Sequence, residues 1–238
     1  MLKSERIHDK FYIKEKTKVK ESFKFLLKDI RKIKFNSLID IGCANGSFLN
    51  FLSKVYKDKR LIGADVNKDL LVSAKKRNKN IEFFKLDISK KIKSKLKKKF
   101  DIVILSGVHT IYDDIEPLIK NASSLCKKKG HLFLFGSFNP KKFDVITRVK
   151  EYKSKTWEKG FNRPSLFSTK NIFKKYFSFT NIKKFNFKLK IKESNNDPRR
   201  THTVCLLSNK ILTVNGLEQI STKYLILGKK WKKLIKKK

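Results

Sequence analysis

LIDIGCANGSF, residues 38–48, decides the fold of this chain. An apolar strand carries the acid Asp40 near its end, runs into a turn of small residues from Gly42 to Gly46, and leads into a helix at Ser47. Small residues let a ligand approach the backbone closely, and the first N–H groups of a helix have no partner within it. The stretch therefore predicts a ligand-binding strand–turn–helix unit.

The spacing of this turn indicates which ligand it suits. Dinucleotide folds hold a pyrophosphate with Gly-x-Gly-x-x-Gly. Here the spacing is one residue shorter, and Asp40 lies two residues before the first glycine. A carboxylate in that place repels phosphate groups but can hold an ammonium group. The turn therefore favours S-adenosylmethionine (SAM) over NAD.

Two further acids end the next two apolar runs. Asp65 ends Leu-Ile-Gly-Ala-Asp, where its carboxylate can accept both ribose hydroxyls, and Asp87 ends Phe-Phe-Lys-Leu-Asp, within reach of an adenine amino group. Either acid alone could be a helix cap or a solvated acid. Acids at three consecutive strand ends, in this order, predict a SAM site. Its predicted cofactor-binding residues are Asp40, Gly42, Ala44, Gly46, Asp65, Val66, Asp87, Ile88 and Ser106.

Apolar runs alternate with helical patterns through residues 37–138. Such alternation is typical of an α/β fold with right-handed crossovers, in which a doubly wound, mostly parallel sheet is covered on both faces. We expect seven strands in all. The first five are expected at 37–43, 60–66, 81–87, 100–108 and 131–138, and the helices between them at 46–57, 67–78 and 112–126.

The two flanking parts of the chain follow different patterns. Residues 9–34 predict a basic amphipathic helix or helix pair. If the runs 183–191 and 223–228 are the last two adjacent strands, residues 192–222 form an inserted β-hairpin that could act as a lid. The other expected elements are a helix at 141–154, a loop at 157–164, a helix at 169–177 and hairpin strands at 202–207 and 211–214.

We expect one compact domain, because neither a repeat nor a long linker is visible. The N-terminal basic helical segment takes residues 1–35 and the SAM-binding Rossmann-like core takes 36–138. The remainder of the domain, 139–230, carries the substrate-facing loop and the hairpin. Residues 231–238 are a basic tail, which suits weak contact with a membrane surface but is read more simply as a frayed terminus.

The composition limits the possible functions without choosing one. A net charge of +39 favours a polyanionic partner, but lysine far outnumbers arginine and Phe, Ile and Asn are abundant, as AT-rich codons produce. We therefore consider nucleic acid a possible but not a favoured partner. The three cysteines are far apart, no apolar run is long enough to span a membrane, and no histidine cluster has metal-ligand spacing. We expect a cytoplasmic protein without a metal.

The residues Asp40–Gly46 resemble the first motif of the class I SAM-dependent methyltransferases, with Ala44 in place of the usual middle glycine. Asp65 and Asp87 match that family's ribose and adenine acids. Phe100–Val108 is similar to its fourth strand, whose end lies beside the reactive methyl group.

Lys127–Leu132 is similar to the family's Lys-Pro-Gly-Gly turn, without the proline and one glycine. The resemblance covers about residues 36–138. It implies SAM as cofactor and an in-line attack of a substrate atom on the methyl group, for which the enzyme supplies mainly proximity and orientation.

The acceptor is less well defined. After the fourth strand the chain has neither the Asn/Asp-Pro-Pro-Tyr-like motif of base methylases nor a Pro-Cys nucleophile, so a small molecule or biosynthetic intermediate is favoured as acceptor of an O- or N-methyl group. An RNA or ribosomal-protein methyltransferase and a non-catalytic SAM-binding protein stay open as alternatives. His109 is the candidate base, or else a hydrogen-bonded loop histidine. The candidate substrate-binding residues are Trp157, Asn162, Arg163, Arg199, Arg200 and His202, the last also a weaker candidate base.

Overall fold

Strands and helices alternate along the chain as the apolar runs predict. The computed structural model describes residues 12–13, 19–92, 99–150, 152–159, 162–185, 201–205, 211–215 and 223–230. The strands are β1 (Ser37–Ile41), β2 (Arg60–Asp65), β3 (Glu82–Lys85), β4 (Phe100–Ser106), β5 (Cys126–Ser137), β6 (Arg148–Val149), β7 (Glu158–Lys159), β8 (Phe179–Phe185), β9 (Thr201–Cys205), β10 (Ile211–Asn215) and β11 (Lys223–Lys229). The helices are α1 (Glu21–Ile30), α2 (Ser47–Val55), α3 (Lys68–Arg77), a 3-10 helix (Val108–Ile111), α4 (Glu116–Leu125) and α5 (Leu166–Tyr176).

Seven of these strands form one sheet in the order β3-β2-β1-β4-β5-β11-β8. The first five are parallel to one another, and β11 runs antiparallel to both β5 and β8. Strands β2 and β3, which follow β1 in the chain, lie on one side of β1, and β4 lies on its other side. The strand order therefore reverses beside β1. Open α/β sheets bind ligands at the carboxyl ends of the strands at such a reversal. The prediction of a mostly parallel seven-stranded sheet is confirmed.

Alternate side chains of the central strands enter two separate cores, one on each face of the sheet. Ile39 of β1 belongs to the core that contains Leu118 of α4 and Phe173 of α5. Leu38, its neighbour, belongs to the core that contains Leu26 of α1 and other buried residues of α1 and α2. All five residues of β1 are buried, with Leu38 in one core and Ile39 and Ile41 in the other, as expected for a strand that is covered on both faces.

The predicted helix at 141–154 is wrong. The backbone of this segment pairs with the loop that precedes α5 instead of with itself, because Val145 and Arg163 exchange backbone hydrogen bonds of 3.0 and 2.9 Å and β6 pairs with β7. The Asp144 carboxylate accepts from the backbone N–H of Ser165 at 2.5 Å and from the Ser168 hydroxyl at 2.9 Å. These contacts hold the segment in an irregular conformation. The helical spacing of its apolar residues does not reveal this conformation.

Other element boundaries also differ from the expectations. The helix expected at 112–126 begins at Glu116, where the Asp114 carboxylate accepts from the Glu116 backbone N–H at 2.8 Å. Strand β5 begins at Cys126, not at 131, since an irregularity in its pairing with β4 accommodates Lys129 at a φ of 66°. Helix α5 begins at Leu166, earlier than expected, because the Ser165 hydroxyl caps it.

The C-terminal part keeps the predicted arrangement. Strands β8 and β11 are adjacent, and β9 pairs with β10 in an antiparallel hairpin. Strand β8 begins at Phe179 instead of 183. Residues 1–11 and 14–18 of the predicted N-terminal segment, residues 186–191 and the tail 231–238 lie outside the described residues. Among the helices that are described, none combines the length and the apolar character that a membrane crossing requires.

Candidate active site

The carboxyl ends of the central strands open into a cavity of about 340 Å³. Each of these strands contributes a polar residue to its lining: Asp40 from β1, Asp65 from β2, Ser106 from β4 and Ser137 from β5. The volume lies in the range of sites for small molecules and cofactors. The cavity therefore lies where the reversal in strand order predicts a ligand.

The turn after β1 presents its backbone to this cavity. Gly42 and Gly46 have φ angles of 76° and 75°, a left-handed conformation that glycine adopts without strain. A Cβ atom at Gly42 would lie 2.2 Å from the Cγ2 atom of Val108, so the close packing of the turn against the 3-10 helix excludes a side chain there. Ala44 also has a positive φ, of 48°. The small residues of the motif are thus required by conformation and by packing.

The Asp65 carboxylate holds the turn in place. Its Oδ2 atom accepts from the backbone N–H of Ala44 at 2.9 Å, and its Oδ1 atom accepts from the backbone N–H of Asn67 at 2.9 Å. A carboxylate has about four lone-pair positions, so each oxygen can accept a further hydrogen bond from a ligand hydroxyl. Because Asp65 also lines the cavity, its position fits the ribose hydroxyls of SAM.

Asp40 is the unusual group of the cavity. Its side chain is buried, and within the described part of the chain its Oδ1 atom has no hydrogen-bond partner. Burial, and then the charge of Asp65, raise the pKa of Asp40 to about 8. A buried carboxyl group without a partner is costly, and a cation beside it would lower its pKa and stabilise the carboxylate. The position therefore fits the ammonium group of SAM.

Asn45 ties the N-terminal segment to the turn. Its side-chain Oδ1 atom accepts from the hydroxyl and the backbone N–H of Ser47 at 2.6 and 3.2 Å, while its Nδ2 atom donates to the carbonyl of Tyr12 at 2.7 Å. The Arg77 side chain donates to the carbonyl of Ile13 at 2.9 Å. Tyr12 itself lines the cavity. The sequence analysis missed this contribution, since nothing local to Tyr12 indicates a partner 33 residues away.

The other predicted cofactor residues fall into two groups. Val66, Ile88 and Ser106 line the cavity. The Asp87 side chain turns to its own loop, where its Oδ1 atom accepts from the hydroxyl of Ser89 at 2.6 Å and from the Ser89 backbone N–H at 3.1 Å. The residues on either side of Asp87 line the cavity, so the adenine contact of Asp87 stays a prediction.

His109 lies beneath the cavity instead of facing it. The side chain is fully buried and stacks on Phe138 with ring centroids 4.3 Å apart. Its Nε2 atom lies 3.1 Å from the carbonyl oxygen of Ser137, and burial lowers its pKa to about 4. The ring is therefore neutral and packed, whereas its neighbours Val108 and Thr110 line the cavity. This geometry argues against the predicted role as base and corresponds to the hydrogen-bonded loop histidine.

The predicted substrate residues are only partly brought to the site. Asn162 is buried, and its side chain donates to the Tyr112 carbonyl and the Asp113 carboxylate at 3.0 Å and accepts from the Thr147 backbone N–H at 2.9 Å. It thus holds the loop whose Tyr112 lines the cavity, instead of facing a substrate. Trp157 is half exposed under the ammonium group of Lys150, 5.4 Å from the ring centroid.

Other substrate predictions are not tested by the geometry. Arg163 pairs through its backbone with Val145 and is not among the cavity-lining residues. Arg199 and Arg200 lie outside the described residues, as does the side chain of His202 on β9. The cavity instead receives residues that the sequence analysis did not select. They come from four separate parts of the chain and include Lys20, Phe23, Tyr112, Ser137 and Lys223.

Comparison with known proteins agrees with this geometry. Residues 32–181 match a family model described as a methyltransferase domain. A putative methyltransferase 235L of Invertebrate iridescent virus 6 is 37% identical over 68 residues, which cover 29% of this chain and 24% of the relative. The ubiquinone biosynthesis O-methyltransferase of Pelagibacter ubique is 31% identical over 126 residues, 52% of this chain and 50% of the relative. The matched part is thus at most half of either relative.

Solved structures show the same fold at low sequence identity. The YcgJ protein of Bacillus subtilis superposes with a TM-score of 0.62 at 12% identity, covering 89% of this chain and 99% of that protein. The N-terminal domain of EvdMO1, solved with S-adenosylhomocysteine (SAH) bound, has a TM-score of 0.57 at 10% identity and covers 88% and 80% of the two chains.

Proposed function

Because the chain belongs to the methyltransferase domain family and SAM is its cofactor, we propose that it transfers the methyl group of SAM to an oxygen or nitrogen atom of a small molecule or biosynthetic intermediate. The observation that carries this proposal is the pair of acids at the glycine-rich turn. Asp40 is buried, with one oxygen that has no hydrogen-bond partner among the described residues, and Asp65 lines the same cavity. The first carboxylate matches the ammonium group of the methionine portion of SAM, and the second matches the hydroxyl groups of its ribose.

The residues present suit distinct parts of the cofactor. Asp40 holds the ammonium group, Asp65 accepts the ribose hydroxyls, and the backbone from Gly42 to Gly46 lies against the methionine portion. Val66 and Ile88 flank the adenine. SAM supplies an activated methyl group on a sulfonium, so the chain's own contribution is to hold the acceptor in line and to exclude water.

The proposal assigns no general base. His109 is fully buried against Phe138 and is not among the cavity-lining residues, and its pKa of about 4 makes it a weak base, so we assign it no proton transfer with an acceptor in the cavity. Methyl transfer needs a base only when the acceptor must lose a proton to react. An acceptor that ionises readily, or a neutral amine, suits this site.

An oxygen acceptor is favoured over nitrogen by the relatives. The Pelagibacter ubique protein and a further relative of 27% identity, a malonyl-[acyl-carrier protein] O-methyltransferase of Halalkalibacterium halodurans, are both named as O-methyltransferases. The latter match covers 45% of this chain and 41% of the relative. The aromatic residues and the modest volume of the cavity suit a small acceptor.

Labelled methyl transfer tests this proposal. We expect purified protein to bind SAM by calorimetry and to transfer tritiated methyl groups from SAM to the low-molecular-mass fraction of a cell extract. Transfer to the RNA fraction with steep salt dependence would favour the RNA alternative, and transfer to ribosomal proteins would favour the protein alternative. Intact SAM binding with no transfer to any fraction would favour the non-catalytic alternative, and an absence of SAM binding would refute the proposal altogether.

A further inference from the structure

Two lysines line the same cavity as the two acids. Lys20 lies immediately before α1, and Lys223 is the first residue of β11. The ammonium group of Lys20 lies 5.7 Å from the centroid of the Tyr12 ring and 5.9 Å from that of Phe23, both of which also line the cavity. We call these two residues the lysine side of the cavity, and Asp40 with Asp65 the acid side.

The strand order separates Lys223 from the acid side. Along the carboxyl edge of the sheet the order is β2, β1, β4, β5 and β11, so Lys223 lies three strands beyond Asp40. Three inter-strand spacings amount to about 14 Å. Lys223 pairs with Ser137 of β5, and Ser137, Ser106 and Phe135 line the space between the two sides.

The two lysines also act on each other. Lys223 is partly buried, and burial together with the positive charge of Lys20 lowers its pKa. Two cations that interact in a partly desolvated cavity repel one another, and an anion between them relieves that repulsion. In a chain with many exposed lysines, these two are distinguished by their place in the cavity wall.

The carboxylate of SAM itself does not account for both lysines. In SAM the ammonium and carboxylate groups are bonded to the same carbon atom, so a carboxylate held near Asp40 remains at the acid side. Lys223 lies three strands from Asp40. It is therefore nearer to the methyl acceptor, which shares the cavity with SAM. Along the sheet edge, the space lined by Ser106, Phe135 and Ser137 therefore separates Lys223 from Asp40.

Resting on the proposed function, we infer that the methyl acceptor carries an anionic group, a carboxylate or a phosphate, that Lys20 and Lys223 bind. Charge-assisted hydrogen bonds from two ammonium groups fix the position of such a group and with it the orientation of the acceptor. An acid is thereby selected over its neutral amide or alcohol. Lys20 and Lys223 are in this role specificity-determining residues.

Three small aromatic probes test the inference: benzoate, its neutral isostere benzamide, and phenyl phosphate. Each is titrated by calorimetry into the protein with and without saturating SAH. We expect at least one anion to bind about tenfold or more tightly than benzamide, and Lys223→Gln and Lys20→Gln to lose that preference. Benzoate and phenyl phosphate distinguish a carboxylate from a phosphate. Lys223→Arg, which keeps the charge, should retain most of the preference.

The control is Lys54→Gln, which removes the same charge from an exposed position of α2. It should bind all three probes as the wild type does. Equal affinity for benzamide and both anions, or an unchanged preference in both glutamine variants, would overturn the inference. A loss of SAH affinity without a loss of anion affinity would assign the lysines to the cofactor instead. If SAH fails to bind at all, the proposed function fails, and the titrations without SAH still test the lysine pair.

Discussion

The acid side and the lysine side share one cavity but are built in opposite ways. The acid side comes from strands β1 and β2 and the turn after β1, and the Asp65 carboxylate joins these parts by accepting from the backbone N–H groups of Ala44 and Asn67. The lysine side joins Lys20 to Lys223, positions at opposite ends of the chain, across the sheet edge. The backbone conformation of the turn after β1 positions the acid side. The packing of distant parts of the chain positions the lysine side. Changes on the two sides should therefore separate cofactor binding from acceptor binding.

The largest effect is expected for Asp65→Ala. This variant removes the acceptor for the ribose hydroxyls and releases the backbone N–H groups of Ala44 and Asn67, so SAM affinity should fall by about a hundredfold or more. Calorimetric titration with SAM measures the change, and Asp65→Asn, which keeps an acceptor oxygen, guards against a simple folding failure.

Asp87→Ala is the matched comparison, because the Asp87 carboxylate accepts from Ser89 at the next strand end. A small loss in Asp87→Ala would indicate that Asp87 serves its loop. A loss as large as that of Asp65→Ala would support the predicted adenine contact. Unchanged SAM affinity in Asp65→Ala would contradict the assignment of the acid side to cofactor binding.

The second prediction concerns the loop whose Tyr112 lines the cavity. Asn162→Ala breaks hydrogen bonds to the Tyr112 carbonyl, the Asp113 carboxylate and the Thr147 backbone N–H in a buried place. We expect the free energy of unfolding to fall by about 2 kcal/mol, measured by urea denaturation. SAH affinity should change little, because the acid side is not touched.

Asn171→Ala, at an exposed position of α5, provides the control and should leave the stability near that of the wild type. If Asn162→Ala is as stable as Asn171→Ala, the structural role given to Asn162 is wrong, and the substrate contact predicted from the sequence regains its weight.

The third prediction uses the raised pKa of Asp40. Since its pKa of about 8 lies above the ordinary value of 3.8, the free protein holds a proton there at neutral pH and must release it to bind an ammonium group. SAM affinity should therefore rise as the pH increases towards 8. In Asp40→Asn it should be about tenfold weaker at pH 8, with that rise removed.

The same group affects stability with a defined sign. The unfolded chain gives up the Asp40 proton near pH 4 and the folded chain only near pH 8, so stability falls as the pH rises through that window. Asp40→Asn should flatten this part of the profile in urea unfolding measured without SAM. An unchanged profile would mean that Asp40 is ionised in the free protein.

The two sides also differ in what the sequence could reveal. The turn from Gly42 to Gly46 is recognisable because its conformation and packing restrict residue types locally, and the sheet is recognisable because its buried parallel strands are mostly apolar. The segment 141–154 was misread as a helix because its partners, in the loop before α5, lie about twenty residues further on. Lys20 and Lys223 were indistinguishable from the many solvated lysines until the fold brought them together.

The place of His109 in the sequence likewise does not reveal its surroundings in the fold. Its substitution gives the smallest of the predicted effects. Its position after β4 suggested a base, yet it is buried with a pKa lowered to about 4, below the ordinary value of 6.5. The unfolded chain therefore takes up a proton first on acidification, and the fold loses stability between about pH 6.5 and 4. From pH 7 to 5.5 this contributes a loss of about 1 kcal/mol.

His109→Gln tests this assignment, because an amide can still donate to the Ser137 carbonyl but cannot titrate. The difference in unfolding free energy between pH 7 and 5.5 should shrink by about 1 kcal/mol relative to the wild type, whatever the absolute stability of the variant. His131→Gln is the comparison: burial, and then the charge of Lys229, also lower the pKa of His131, but this ring is only partly buried, so its variant should reduce the pH dependence less than His109→Gln does. If His109→Gln keeps the full pH dependence, the imidazole is exposed to solvent in the cavity, and its role as the base becomes the better reading of the sequence.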